Sequence, residues 1–142
     1  MPDRNASASW RGTLPEGDGT MRLGSGSYEG AYSFQSRFEE GEGTNPEELL
    51  GAALAGCFSM ALSGNLGRAG FDPGSVATDA KVTIERDGDG FTITKIRLET
   101  AASVEGIEDQ RFQEIAETTK ETCPVSRALG AVETVELDAR LA

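Results

Sequence analysis

Cys57 and Cys123 are the residues of this chain best suited to do chemistry, because the sequence contains no histidine. That absence removes Ser-His-Asp and Cys-His catalysis, His-ligated zinc and histidine acid–base work together. What remains is thiol, carboxylate, arginine, lysine and tyrosine chemistry. Two thiols without histidine also make a poor zinc site, since structural zinc usually takes four Cys or His ligands. Neither a metal nor a cofactor is expected. The two cysteines stand 66 positions apart and are too few to staple a small secreted domain, so in a reducing compartment they are either inert or chemically employed.

Cys57 falls near the middle of a long uncharged stretch, where a free cysteine is ordinarily a small hydrophobe. To react it must become a thiolate, and burial works against that. With no histidine available, the natural source of positive charge is an arginine held by a carboxylate. Cys123 lies where one helical stretch stops and Pro124 begins the next, which suggests a position near the surface in backbone that can move. Such a thiol suits a resolving role: a sulfenic acid formed at a first cysteine must be captured by a second before it is oxidised irreversibly. The pair can do this only if folding brings their Cα atoms within about 7 Å.

The elements that must position these residues are legible in outline. Residues 8 to 40 alternate and are rich in glycine, with Trp10, Leu14, Met21, Leu23, Tyr32, Phe34 and Phe38 as apolar members, and read as two or three strands. Asn45, Pro46, Glu47 and Glu48 mark a helix start, with an N-cap, a proline at the first helical position and acids in the first turn. The helix should run to about Gly67 or Gly70. Its large stripe is Leu50, Leu54, Phe58, Leu62 and Leu66, and its small stripe is Gly51, Ala55, Ser59, Ser63 and Gly67, which invites a close neighbour. Apolar nearly all round, it needs cover on every side, and a second subunit is expected to supply part of it.

Beyond it, residues 76 to 86 and 91 to 102 form a β-hairpin around Asp87-Gly88-Asp89-Gly90. A helix over 108 to 122, a short helix over 125 to 129 and a strand over 133 to 141 complete the chain.

At 142 residues the chain fits a single domain, 1–142. Asp and Glu number 24 against 13 Lys and Arg, a net charge of -11 with no basic cluster, so nucleic acid and anionic membrane surfaces are poor partners. The N-terminus lacks the basic start and apolar core of a secretory signal, and a cytoplasmic location is expected. The uncharged run from Leu49 to Gly67 has the length of a membrane span, yet its glycines, serines and Asn65 dilute the hydrophobicity, and a buried core helix is the better reading.

The segments TNPEELLGAALAGCFSMAL around Cys57 and CPVSRAL from Cys123 resemble the OsmC and Ohr family, the osmotically inducible and organic hydroperoxide resistance proteins. The likeness covers nearly the whole chain from about Trp10. It implies an α+β fold in which two β-sheets enclose two long central helices of an intertwined homodimer, with active sites at the subunit interface. It further implies a thiol peroxidase in which Cys57 attacks an organic hydroperoxide and Cys123 resolves the product as a disulfide, with small dithiols, including protein-bound dihydrolipoyl groups, as reductants.

The family's activating glutamate falls on Glu47. Its arginine falls on Arg37, with Arg11 as the runner-up. Taken alone, Glu47 would merely complement the helix dipole and Arg37 would be a solvated strand residue. Phe58, Met60 and nearby leucines are expected to offer apolar contacts to an organic peroxide. Ten residues of helix separate Glu47 from Cys57 by about 15 Å, so each site should draw Glu47 from one chain and Cys57 from the other.

Overall fold

A computed structural model describes all residues, Met1–Ala142. Contacts within the chain group it into two compact units, Met1–Leu49 and Leu50–Ala142.

In the first unit, β1 (Ala6–Arg11), β2 (Asp18–Leu23) and β3 (Glu29–Tyr32) form an antiparallel sheet in sequence order. Trp10 and Tyr32 sit on its outer strands with ring centroids 5.3 Å apart. Phe34 and Phe38, expected in strands, instead belong to a short helix, α1 (Phe34–Phe38). The reason is local: Ser33 caps the helix, its Oγ accepting from Ser36 N–H at 3.1 Å while Ser36 Oγ accepts from Ser33 N–H at 2.8 Å. The two phenylalanines, one helical turn apart, then pack with ring centroids 5.0 Å apart and planes tilted by 52°.

The long helix α2 (Pro46–Arg68) begins where its residues require. Asn45 Oδ1 accepts from Glu48 N–H at 2.7 Å, which satisfies an N-terminal amide, and Pro46 takes the first helical position. It ends at Gly70, whose φ of +93° is the left-handed cap conformation, with Phe71 N–H donating to Leu66 O at 2.9 Å.

In the second unit, β4 (Pro73–Asp87) and β5 (Gly90–Val104) make a long antiparallel hairpin, and β6 (Thr134–Leu141) lies parallel to β5. The hairpin turns through Gly88 and Asp89, with Gly88 at φ +60° where a two-residue turn of this hand needs glycine. A parallel neighbour requires a crossover, which α3 (Asp109–Thr122) and α4 (Pro124–Ala128) provide. Leu54, Phe58, Leu62 and Leu66 of α2 join Ile96, Leu98, Phe112, Ile115 and Cys123 in the core.

The small stripe of α2 meets β4 at Gly51 and Ser59, though not at Gly67: a Cβ added at Gly51 would lie 3.4 Å from Val82, and Ser59 Oγ donates to Thr78 Oγ1 at 2.7 Å. A third face, with Ala52, Ala53, Gly56, Met60, Gly64 and Gly67, is exposed, Met60 to 80%. By length and composition α2 could cross a membrane, with a mean hydropathy of 1.5, but its large stripe is built into the core.

Candidate active site

Three polar residues join α1 to the start of α2. Ser36 Oγ donates to Thr44 O at 2.7 Å, Asn45 Nδ2 donates to Ser36 O at 3.0 Å, and Thr44 N–H donates to Ala31 O at 2.8 Å. Gly43 makes this approach feasible, because at φ +114° an added Cβ would fall 2.6 Å from Ala31 O. The result sets Arg37, on α1, against Glu47, in the first turn of α2. Arg37 Nε and Nη2 donate to Glu47 Oε1 at 3.1 and 2.8 Å, and Nε also reaches Oε2 at 3.2 Å.

Glu47 is 5% exposed, whereas the Arg37 side chain keeps 36% of its surface and lies 5.0 Å from the Phe38 ring centroid. Arg11 is elsewhere engaged: its side chain is 86% exposed and pairs with Asp18 at 3.2 Å. Beside Arg37 is a cavity of about 230 Å³ walled by Trp10, Leu14, Tyr32, Phe34 and Phe38.

The second unit brings the cysteines together. Asn65 Nδ2 donates to Thr119 Oγ1 at 2.8 Å, and Thr119, fully buried, donates in turn to Ile115 O at 2.7 Å, which pins α3 to α2. Four residues beyond Thr119 on α3, and eight residues before Asn65 on α2, Cys123 and Cys57 meet with their Sγ atoms 2.7 Å apart, both as free thiols. The two sulfurs are thus in direct contact. Cys123 was expected near the surface; it is 1% exposed, because the α3–α4 break turns the chain inward and the core closes over it. Phe58, offered by its sequence position as a substrate contact, is fully buried in the core and presents no surface.

The two thiols titrate as a pair. Burial pushes the Cys57 thiol above its ordinary pKa, the adjacent Cys123 sulfur adds to this, and the Val125 N–H opposes it. For Cys123 burial also acts upward, but the groups that favour its anion, namely the Cys57 thiol, the Ser126 N–H and hydroxyl and the Val125 N–H, outweigh it, and the pKa is lowered. Within one chain these surroundings favour the anion on the Cys123 sulfur and oppose it on the Cys57 sulfur. Val125 and Ser126 escaped the sequence reading; the signal was present in the Cys-Pro-Val-Ser spacing, which puts their amides in the first turn after Cys123.

An α+β protein of two three-stranded sheets with two thiols brought into contact is the class that this architecture and site define. The chain belongs to the OsmC family: residues 39–138 match the model of OsmC-like proteins. It is 46% identical to peroxiredoxin OsmC of Escherichia coli over 94% of each chain, and 33% identical to an organic hydroperoxide resistance protein of Xanthomonas axonopodis over 62% of this chain and 61% of that one. Solved structures carry the same fold. An OsmC-like protein of Vibrio cholerae superposes with a TM-score of 0.74 at 17% identity, covering 98% of this chain and 99% of that one. The organic hydroperoxide resistance protein OhrB of Bacillus subtilis gives 0.67 at 23% identity, covering 97% and 98%. The expected fold class, two sheets with long helices of the OsmC type, is thereby met.

Proposed function

We propose that the chain reduces organic hydroperoxides to alcohols through Cys57 and Cys123. As a member of the OsmC family it is a peroxidase, and the observation that carries the finer reading is the 2.7 Å approach of the two sulfurs. The Cys57 thiolate attacks the peroxide oxygen; the O–O bond breaks and the alkoxide leaves as an alcohol with a proton. The Cys57 sulfenic acid is then attacked by the Cys123 thiolate, forming the S–S bond while hydroxide departs and is protonated to water. A dithiol reductant, such as a dihydrolipoyl group, returns the pair to thiols with two electrons and two protons.

Arg37, aligned by Glu47, is the cation that makes Cys57 a thiolate. It favours the anion by charge and by a directional N–H edge, and Glu47 fixes that edge. Along α2, Glu47 and Cys57 are ten residues apart, about 15 Å at 1.5 Å per residue, so the pair serves the Cys57 of a second copy. The exposed apolar face of α2 around Met60 supports the homodimer that this arrangement needs. The aromatic cavity beside Arg37 receives the organic group of the peroxide, in place of the buried Phe58. A reducing, cytoplasm-like compartment suits thiols that must be regenerated.

The test is turnover of cumene hydroperoxide and of hydrogen peroxide under a lipoyl dithiol. Each buried methylene is worth up to about 0.8 kcal/mol, so the organic substrate should be preferred by about one to three orders of magnitude in kcat/KM. Equal efficiency would remove the organic subsite. A single stoichiometric oxidation without turnover would identify a sensor instead of an enzyme, and thiols indifferent to peroxide would leave only a ligand-binding protein.

A further inference from the structure

Ser126 stands three residues after Cys123, in the first turn of α4, and its hydroxyl is the one buried side-chain oxygen or nitrogen of the chain without a hydrogen-bond partner. A buried hydroxyl left unpaired costs about 1–3 kcal/mol, so its retention beside a reacting sulfur calls for a reason. With both cysteines as thiols, Cys123 makes no capping bond to the turn that follows it. A neutral thiol is a weak acceptor, whereas a thiolate is a strong one.

We propose that Ser126 is a positioning residue for the resolving step: its hydroxyl, idle in the thiol state, donates to Cys123 once that sulfur is a thiolate, and so holds and aims the anion toward Cys57. The inference rests on the assignment of Cys123 as the resolving cysteine. The lowered pKa of Cys123 agrees with it, since the Ser126 hydroxyl and N–H both favour the anion. In the step itself the Cys123 thiolate attacks the Cys57 sulfenic sulfur, the S–S bond forms, the S–O bond breaks, and the departing hydroxide takes a proton to become water.

The surroundings of Cys123 leave few other groups to do this. From α2 the titratable neighbour is Cys57, from α4 the neutral Val125 and Ser126 act on the sulfur, and the Arg37 that the proposed function brings to Cys57 from a second copy is common to all the variants compared below. The charged side chains nearest in sequence are Lys120 and Glu121 at the end of α3 and Arg127 on α4. Lys120 is engaged with Glu117 at 2.6 Å, and Glu121 and Arg127 are exposed. Loss of the hydroxyl should therefore appear directly in the titration of Cys123.

The first measurement needs no peroxide: the thiolate absorbance of Cys123 is titrated in Cys57→Ser, alone and combined with Ser126→Ala or Ser126→Thr. Alanine should leave about tenfold less thiolate at neutral pH, and threonine, which keeps the hydroxyl, should restore it. The second measurement follows disulfide formation in single-turnover oxidation of Ser126→Ala with both cysteines present. The rate should fall about threefold at neutral pH, less than the thiolate fraction because a more basic thiolate is the better nucleophile, and the deficit should close at alkaline pH. A Cys123 titration unchanged by Ser126→Ala overturns the proposal. If the titration shifts and the parent protein nevertheless forms no disulfide, the resolving assignment fails while the Ser126 contact stands.

Discussion

Arg37 lays one edge of its guanidinium along Glu47, with Nε and Nη2 both engaged, and Nη1 falls outside that contact. Ten residues separate the pair in sequence, and Glu47 is 5% exposed. A buried carboxylate that uses two of an arginine's nitrogens fixes the plane of the group and leaves the third to face a different anion.

Arg37→Met should therefore slow the reaction of the thiol with peroxide at neutral pH by about 10- to 100-fold, one to two decades of lost thiolate. The sign follows from Cys57, whose pKa burial and Cys123 already hold above the ordinary thiol value. Without the cation the thiol stays protonated at neutral pH, and the rate should recover as pH rises. Stopped-flow thiol loss across pH checks this, and Arg37→Lys should rescue only in part because an ammonium cannot make the two-nitrogen contact with Glu47. An unmoved pH profile would detach Arg37 from the thiol.

Cys57→Ser should abolish turnover, whereas Cys123→Ser should still react once and then accumulate sulfinic acid, because its sulfenic acid has no resolving partner. Mass spectrometry after one and after ten equivalents of peroxide distinguishes the two variants. Normal turnover by Cys57→Ser would reverse the assignment of roles.

If Glu47 and Cys57 of one site come from different chains, mixing two inactive variants restores activity. Subunit exchange between Cys57→Ser and Glu47→Ala gives heterodimers in which one of the two sites carries neither substitution. About half of the sites being intact in each heterodimer, activity should return in proportion to the heterodimer fraction. Heterodimers that form but stay inactive would place the action of Glu47 within its own chain.

The two faces of α2 should respond differently to substitution. Phe58→Ala removes a fully buried ring and should cost about 3–5 kcal/mol, seen as a fall in Tm at any protein concentration. Met60→Asp changes a side chain that is 80% exposed within one chain, so its effect should appear in association, with a sedimentation-derived Kd raised and the Tm of the dilute protein little altered.

Much of this architecture could be read from local signals. Asn45 and Pro46 fix the start of α2, and the alternation on either side of Gly88 fixes the β4–β5 hairpin, because caps and turns depend on a few adjacent residues. Phe34 and Phe38 misled because an apolar pair four apart in a short segment fits strand alternation as well as a helical turn, and Ser33 decides between them only through its bond to Ser36.

The pairing of Arg37 with Glu47 was legible as a family pattern, and its geometry was not, since it depends on Ser36, Thr44 and Asn45 closing the intervening loop. The burial of Cys123 was hidden for a related reason. A helix break before proline looks like a surface feature until the long-range bond from Asn65 to Thr119 draws α3 onto α2.

The parallel pairing of β6 with β5 has a bearing on chemistry that β6 does not touch. Residues 105 to 133, which carry the second sulfur, are stitched at both ends into adjacent strands of one sheet, and the Ala142 N–H closes the last stitch on Ala102 O at 2.8 Å. A bridge tied at two banks delivers its load to one place, whereas a pier tied at one end sweeps. A chain shortened before Thr134 would keep both cysteines and yet scatter the position of one, so the aim of the sulfur at residue 123 is set in part by the final eight-residue strand.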